Sequence, residues 1–74
     1  MTQWEKVIDY IGRFGSITPL DAFRDLGITR LAAVIWQLRK DGIVVYGEME
    51  KSKNRFGEPV KYMRYSLERR NEND

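Results

Sequence analysis

The sequence contains no cysteine and no histidine among its 74 residues. Without cysteine, neither a disulfide nor a thiolate metal site can reinforce the fold. Without histidine, the commonest general base and metal ligand is missing. The acidic residues are spread singly along the chain, and Ser16 and Ser52 have no histidine to activate them. The sequence therefore predicts a protein that is not an enzyme and that needs no metal and no cofactor.

Long apolar runs are missing as well. No run approaches the roughly 20 residues that cross a bilayer, and Glu5, Lys6 and Asp9 interrupt the N-terminal stretch where a signal peptide needs an apolar core. We therefore expect a cytoplasmic protein with no membrane partner. At 74 residues, 42% of them hydrophobic, the chain is long enough for one small domain with one core.

The net charge of +2 is small, but the charges are unevenly distributed. Residues 1–50 carry a net charge of −1, residues 51–70 a net charge of +5, and the last four residues a net charge of −2. A local excess of cations is typical of a surface that binds a polyanion such as nucleic acid. A solvated basic hairpin would have the same composition, so charge alone leaves both interpretations open.

The N-terminal segment has the pattern of an amphipathic helix. It opens with a capping box, Thr2-Gln3-Trp4-Glu5. Apolar residues then recur at helical spacing, and we expect them to form one buried face: Trp4, Val7, Ile8, Ile11 and Phe14. Gly15 suits the left-handed position after a helix end, so the helix is predicted over residues 3–14.

Two more helices follow in close succession. Thr18 and Pro19 are favoured at a helix start, and the second helix is predicted to end at Leu26 with an apolar face of Leu20, Phe23 and Leu26. Only Gly27 and Ile28 separate it from the next predicted cap, Thr29. The third helix is predicted over residues 30–41, with Val34 at the edge of a buried face formed by Leu31, Ile35 and Leu38. So tight a connection with a glycine matches a helix-turn-helix.

After Gly42 the apolar period changes to the two-residue period of a β-strand. Two alternating runs flank the polar stretch of residues 51–59, which contains glycine and proline, and this arrangement predicts a hairpin. We expect the inward-facing residues to be Ile43, Val45, Met49, Met63, Tyr65 and Leu67. Ile17 can add a short strand to this hairpin. Residues 1–68 are then one domain, and the polar residues 69–74 are predicted to be a flexible tail.

Three helices followed by a hairpin define the winged helix-turn-helix, an α+β fold. In this fold the third helix enters the major groove of DNA, and the hairpin, called the wing, touches the neighbouring backbone. The predicted solvent-facing stripe of the third helix suits this role: Arg30, Ala33, Gln37 and Lys40. Arg30 can pair with a guanine edge and Gln37 with an adenine edge, while Ala33 allows close approach.

Further side chains are predicted to contact the DNA backbone. Helix starts favour anions, which makes Thr18 and Thr29 candidates for phosphate contacts, and Lys40 suits a phosphate near the far end of the helix. The wing contributes the remaining predicted contacts: Lys51, Lys53, Asn54 and Arg55. If about five cations among Lys40, Lys51, Lys53, Arg55, Lys61 and Arg64 touch phosphates, affinity should fall steeply with salt.

Three apolar residues fit a DNA-binding surface less readily. Trp36 lies beside the polar stripe and either packs against a strand or anchors a dimer or a partner protein. Val34 is a second candidate for a protein contact. Phe56 lies at the predicted loop tip, where an exposed aromatic ring suits either a protein contact or a wedge or stacking role on nucleic acid.

The chain resembles a family of small phage and prophage helix-turn-helix domain proteins. The similar stretches are residues 15–23, 26–31 and 38–42, followed in the wing by Asn54-Arg55-Phe56-Gly57, Tyr62 and Tyr65. The resemblance implies a DNA-binding winged helix in a bacterial host cell, acting in transcriptional regulation or recombination accessory work. The DNA contacts that it implies fall on Thr29, Arg30, Ala33, Gln37, Asn54 and Arg55.

The chain departs from the family pattern on the third helix, with Val34 at a usually basic position and Gln37 at an often acidic one. These departures, together with the low net charge, keep a second hypothesis open. In it, the same fold is a phage-encoded inhibitor of a host protein such as a CRISPR effector or a polymerase subunit. Double-stranded DNA is the first predicted partner, and a homodimer would extend the DNA contact.

Overall fold

The computed structural model describes residues 1–68, which form three helices and a two-stranded sheet. In chain order the elements are α1 (Gln3–Phe14), α2 (Pro19–Leu26), α3 (Leu31–Lys40), β1 (Tyr46–Lys53) and β2 (Pro59–Ser66). The predicted element order and the α+β fold class are confirmed. The predicted tail of residues 69–74 lies outside the described residues.

The first two helices begin and end through local interactions that the sequence predicts. The Thr2 hydroxyl accepts a hydrogen bond from the Glu5 N–H at 3.3 Å, and the Thr2 N–H donates to Glu5 Oε1 at 3.0 Å. Thr18 and Asp21 form the same reciprocal box at the start of α2. Both helices end at a glycine with positive φ, as the sequence predicts.

The start of α3 differs from the prediction. Arg30, not Thr29, is the N-cap, and no side chain hydrogen-bonds to the first turn. The predicted Thr29 cap is therefore wrong, and α3 begins at Leu31 instead of Arg30. Ile28 is 3% exposed within the core. Because packing of this side chain fixes the connecting backbone, the local preference of threonine for a cap does not decide where the helix starts.

The two strands pair antiparallel, with a register that runs from Tyr46 opposite Ser66 to Lys53 opposite Pro59. The predicted short strand at Ile17 is confirmed, because Ile17 and Tyr65 exchange two backbone hydrogen bonds of 2.9 Å. β1 begins at Tyr46, later than the alternation predicts. The predicted loop of residues 51–59 is shorter in the structure, since strand pairing continues to Lys53.

The core lies between the helices and the base of the hairpin. Its buried hydrophobic residues are Val7, Ile11, Ile17, Ala22, Ile28, Leu31, Val34, Ile35, Leu38, Val45 and Tyr65. Other residues predicted to be buried are at least 40% exposed: Trp4, Phe14, Leu20, Phe23 and Met49. In α2 the buried residue is Ala22. With Ala22 at the contact, Leu20 and Phe23 face outward while Leu26 packs partly against the core, and periodicity alone does not reveal this orientation.

Candidate nucleic-acid interface

The exposed face of α3 carries most of the residues predicted to read DNA. Ala33, Gln37 and Lys40 are exposed, whereas Leu31, Ile35 and Leu38 on the opposite face are buried. Thr29 and Arg30 are exposed immediately before the helix. The structure thus brings the predicted α3 contacts together on one surface, which we call the α3 face: Thr29, Arg30, Ala33, Trp36, Gln37 and Lys40.

Trp36 belongs to this face and does not pack against a strand as one interpretation of the sequence had it. The side chain is 62% exposed, and Lys40 Nζ lies 5.0 Å from the centroid of its ring. A cation–π contact of this kind holds both side chains along the helix surface. Val34 has the opposite environment, because it is 7% exposed and packs in the core. It therefore offers little surface for the predicted protein contact.

The Gln37 amide makes a hydrogen bond to Asp41, the residue that follows α3. Gln37 Nε2 donates to Asp41 Oδ1 at 3.1 Å, in an exposed hydrogen bond one turn along the chain. A shallow surface groove beside it is lined by Gln3, Trp4, Ala33, Val34 and Gln37. Because the hydrogen bond is exposed, water or a base edge can replace Asp41 at little cost. The amide is thus within reach of a partner on the α3 face.

Thr18 differs from the exposed candidates because it is 5% exposed. Its hydroxyl accepts a hydrogen bond from the Asp21 N–H at 3.2 Å, and its own N–H donates to Asp21 Oδ2 at 3.1 Å. The side chain therefore stabilises the start of α2. It presents no free hydroxyl for the phosphate contact that the sequence suggested.

Arg39 joins α3 to the base of the wing, a role that the sequence interpretation missed. Its Nε and Nη2 donate to the Val45 carbonyl oxygen at 3.2 and 2.8 Å. Its guanidinium carbon lies 5.9 Å from the centroid of the Tyr65 ring. The sequence does contain an indication of this role, because Arg39 lies about 80° from Leu31 on a helical wheel, at the edge of the buried face. These contacts fix the hairpin relative to α3.

One face of the hairpin changes from apolar to basic along its length. Directly opposed residues in an antiparallel pair share a face, so one face carries the pairs Gly47/Tyr65, Met49/Met63, Lys51/Lys61 and Lys53/Pro59. Near the body this face contributes buried Tyr65 to the core. Towards the tip it carries three lysines, and every residue from 51 to 61 is exposed. The basic part of the hairpin therefore projects beyond the core.

The opposite face holds an internal ion pair. Arg64 Nε donates to Glu50 Oε1 at 2.8 Å, and Arg64 Nη1 donates to Ser16 Oγ at 2.9 Å. The hydrogen bond to Glu50 raises the pKa of Arg64 above its ordinary value. Arg64, a candidate phosphate contact from the sequence, is thus engaged in holding the hairpin to the loop before α2. The cations of the wing that form no ion pair within residues 1–68 are Lys51, Lys53, Arg55 and Lys61.

Asn54 closes the turn at the tip of the wing. Its Oδ1 accepts hydrogen bonds from the Phe56 N–H at 2.9 Å and the Glu58 N–H at 3.0 Å, and its Nδ2 donates to Glu58 Oε1 at 3.1 Å. Gly57 has a φ of 78°, a conformation that favours glycine. Asn54 was predicted to contact DNA, but the structure gives its amide a role in shaping the turn that presents Arg55 and Phe56.

The wing cations that are unpaired within residues 1–68 suit a polyanionic partner. Residues 51–61 carry four cations and one carboxylate, a net charge of +3. No group of three or more acidic residues within residues 1–68 is placed to hold a metal ion. No helix in the same part of the chain is long and apolar enough to cross a membrane. The four cations of residues 51–61 can position phosphates by charge, and the α3 face can offer hydrogen bonds to base edges.

Comparison with known protein families gives a match over nearly the whole chain. The matching family model is HTH_39, described as a winged helix-turn-helix domain, and it covers residues 2–70. This span includes all three helices and both strands. A search of curated proteins and a search of solved structures gave no match.

Proposed function

The chain belongs to the HTH_39 family of winged helix-turn-helix domains, and we propose that it binds double-stranded DNA through the α3 face and the wing. The observation that carries this proposal is the basic end of the hairpin. Four cations project beyond the core without an ion pair in the described part of the chain, and Arg39 fixes the hairpin relative to α3. Because the wing is held in a fixed position beside α3, the helix and the wing can contact a groove and its flanking phosphates at the same time.

In the proposed complex, α3 lies in the major groove. Arg30 and Gln37 offer hydrogen-bonding groups to base edges, and the small Ala33 side chain between them permits close approach. Lys40 and the wing cations contact phosphates, which sets affinity without reading sequence. Trp36 supplies an apolar surface that suits a thymine methyl group.

The cellular role is a further part of the proposal. We infer a phage or prophage origin from the resemblance described above, with a role in transcriptional regulation or as an accessory factor in recombination. A single small module buries only about 600–1,000 Å² of its own surface when it binds DNA. Sequence preference then calls for a homodimer on a two-fold site or for a cooperating protein.

The proposal is tested by fluorescence anisotropy of a labelled mixed-sequence duplex over a series of salt concentrations. With Lys40, Lys51, Lys53, Arg55 and Lys61 as phosphate contacts, we expect the logarithm of affinity to fall with the logarithm of salt at a slope of about −4 to −5. The double variant Lys53→Ala/Arg55→Ala should bind more weakly, and its slope should be shallower by about 2.

The matched control is Lys6→Ala, which removes an exposed lysine of α1 that lines a groove with Asp9, Tyr10 and Asp25, none of which belongs to the α3 face or the wing. It should bind DNA as the parent does. Absence of duplex binding at low salt by a folded parent protein would exclude the proposed function. An equal loss of affinity in Lys6→Ala and in the wing variant would exclude the wing as the specific site.

A second candidate is binding to a host protein, as a phage-encoded inhibitor of a CRISPR effector or polymerase subunit. The observation that favours it is the exposure of large apolar side chains on both helices of the helix-turn-helix: Leu20 at 65%, Phe23 at 60% and Trp36 at 62%. Exposed aromatic residues are enriched in protein hot spots. Binding to a protein that is insensitive to salt, without affinity for duplex DNA, would select this function over the first.

A further inference from the structure

The tip of the wing is a small rigid platform. Besides the side-chain bonds of Asn54, two backbone hydrogen bonds of 3.0 Å close the turn, from the Asn54 N–H to the Glu58 carbonyl and from the Gly57 N–H to the Asn54 carbonyl. Five hydrogen bonds thus fix five residues, 54–58. Such a turn presents its central side chains in a set direction, so a partner does not have to order them on binding.

Phe56 is the most exposed large hydrophobic side chain of the described residues, at 83%. It is not among the residues that form or pack against the core. The turn at the tip of the wing is held by Asn54, so the exposed phenyl ring is not needed to form it. Its position is explained if the ring is buried only when a partner binds.

The surroundings of Phe56 indicate what kind of partner this is. Arg55 precedes it, Lys53 lies two residues further back, and Lys51 and Lys61 oppose each other further down the same ribbon. Protein hot spots are depleted in lysine around their apolar centre, whereas an aromatic ring among cations suits stacked bases between phosphates. The two-stranded ribbon also matches the shape of a wing that follows a DNA groove.

We propose that Phe56 acts as a DNA wedge: when the wing cations hold a duplex, the ring enters the minor groove and partly separates two neighbouring base pairs. This inference rests on the proposed duplex binding and adds to it a deformation of the DNA. Arg55, the neighbour of Phe56 in the chain, contacts a phosphate at the edge of the groove and so holds the tip in place. Apolar wedges of this kind kink a duplex by about 20–90° towards the major groove.

The test compares the parent protein with Phe56→Ala, Phe56→Leu and a matched control, Phe14→Ala. Phe14 is similarly exposed, at 68%, but lies at the end of α1.

Two duplexes of equal base composition serve as probes, one with alternating T-A steps and one with an A-tract. Both present the same hydrogen-bonding groups in the minor groove, but T-A steps unstack more easily. The alternating duplex carries a central 2-aminopurine, and dyes at its ends report bending by energy transfer.

We expect the parent to raise 2-aminopurine emission and to bring the duplex ends closer together. Phe56→Ala should lose both effects and bind about tenfold more weakly, a loss typical of an aromatic–base contact. Its salt slope should be unchanged, because no phosphate contact is removed. Phe56→Leu retains an apolar wedge and should still bend the DNA, and Phe14→Ala should behave as the parent does.

The contrary outcomes separate the wedge from the proposed function. Duplex binding and bending by Phe56→Ala at the parent level would overturn the wedge and leave DNA binding in place. A preference for single-stranded DNA that depends on Phe56 would replace the wedge with base stacking. Absence of any duplex binding by the parent would remove both proposals together.

Discussion

Ile35 and Trp36 are neighbours on α3 with opposite environments, 1% and 62% exposed. The helical period places one in the core and the other on the α3 face. Removing either side chain leaves the helix itself intact, because alanine is a good helix former. The pair therefore separates what the core contributes to stability from what the surface contributes to binding.

We expect Ile35→Ala to lower the free energy of unfolding by about 2–5 kcal/mol, through lost burial and an unfilled cavity. In so small a domain this loss approaches the whole stability. Trp36→Ala should change the unfolding free energy little and instead alter DNA affinity. Thermal unfolding followed by circular dichroism and anisotropy titration measure the two quantities. A large stability loss in Trp36→Ala would contradict its assignment to the binding surface.

At the scale of elements, a hydrogen-bonded group connects α1 with α2. The Tyr10 hydroxyl donates to Asp25 Oδ2 at 2.6 Å, and Arg24 donates to both oxygens of the same carboxylate. The hydrogen bonds from Arg24 and then Tyr10 hold the pKa of Asp25 at about 2, below its ordinary value of 3.8. The contact orients α2 on α1 and so contributes to the position of the helix-turn-helix.

This low pKa makes the contribution of Asp25 dependent on pH. Because the folded-state pKa is depressed, the stabilisation is complete above about pH 4 and is lost as pH falls towards 2. Asp25→Asn should therefore lower the melting temperature slightly at pH 7, and the difference from the parent should shrink as pH falls towards 2. Asp9→Asn is the control, since Asp9 pairs with Arg13 within α1 only. A difference that persists unchanged at pH 2 would contradict this account.

At the scale of the whole molecule, the wing is attached to the helices at a few defined points. Ile17 pairs with Tyr65, Arg39 binds the Val45 carbonyl, and Arg64 reaches Ser16 across 48 residues of sequence. These contacts are long-range in sequence, so helices and hairpin should unfold together as one cooperative unit. Residues 1–68 contain all of them.

We therefore expect a chain truncated after Glu68 to fold and to bind duplex DNA. The family match extends to residue 70, so a second truncation after Arg70 is the matched comparison. If Arg69 and Arg70 add only charge, the shorter chain should lose less than tenfold in affinity at moderate salt, since each phosphate contact contributes modestly. Melting curves and anisotropy titrations of both chains measure this. Failure of the shorter chain to fold would place the domain boundary beyond residue 68.

The sequence by itself determined the elements and the fold class. The capping box at Thr2, the cap at Thr18 and the glycines after α1 and α2 act within one turn of the chain, so their effects can be read locally. The change of period after Gly42 likewise predicted the hairpin, and the concentration of charge predicted its basic end. The α3 stripe also followed from helical geometry.

Tertiary structure decided what each candidate side chain is free to do. Ala22 packs in the core, whereas Phe23, its neighbour on α2, is 60% exposed. Arg39, Arg64 and Asn54 are cations or amides that sequence cannot distinguish from free binding groups, and each is engaged by a partner elsewhere in the fold or the turn. Such partners are set by three-dimensional packing, whereas helical and strand periods reflect only neighbours along the chain.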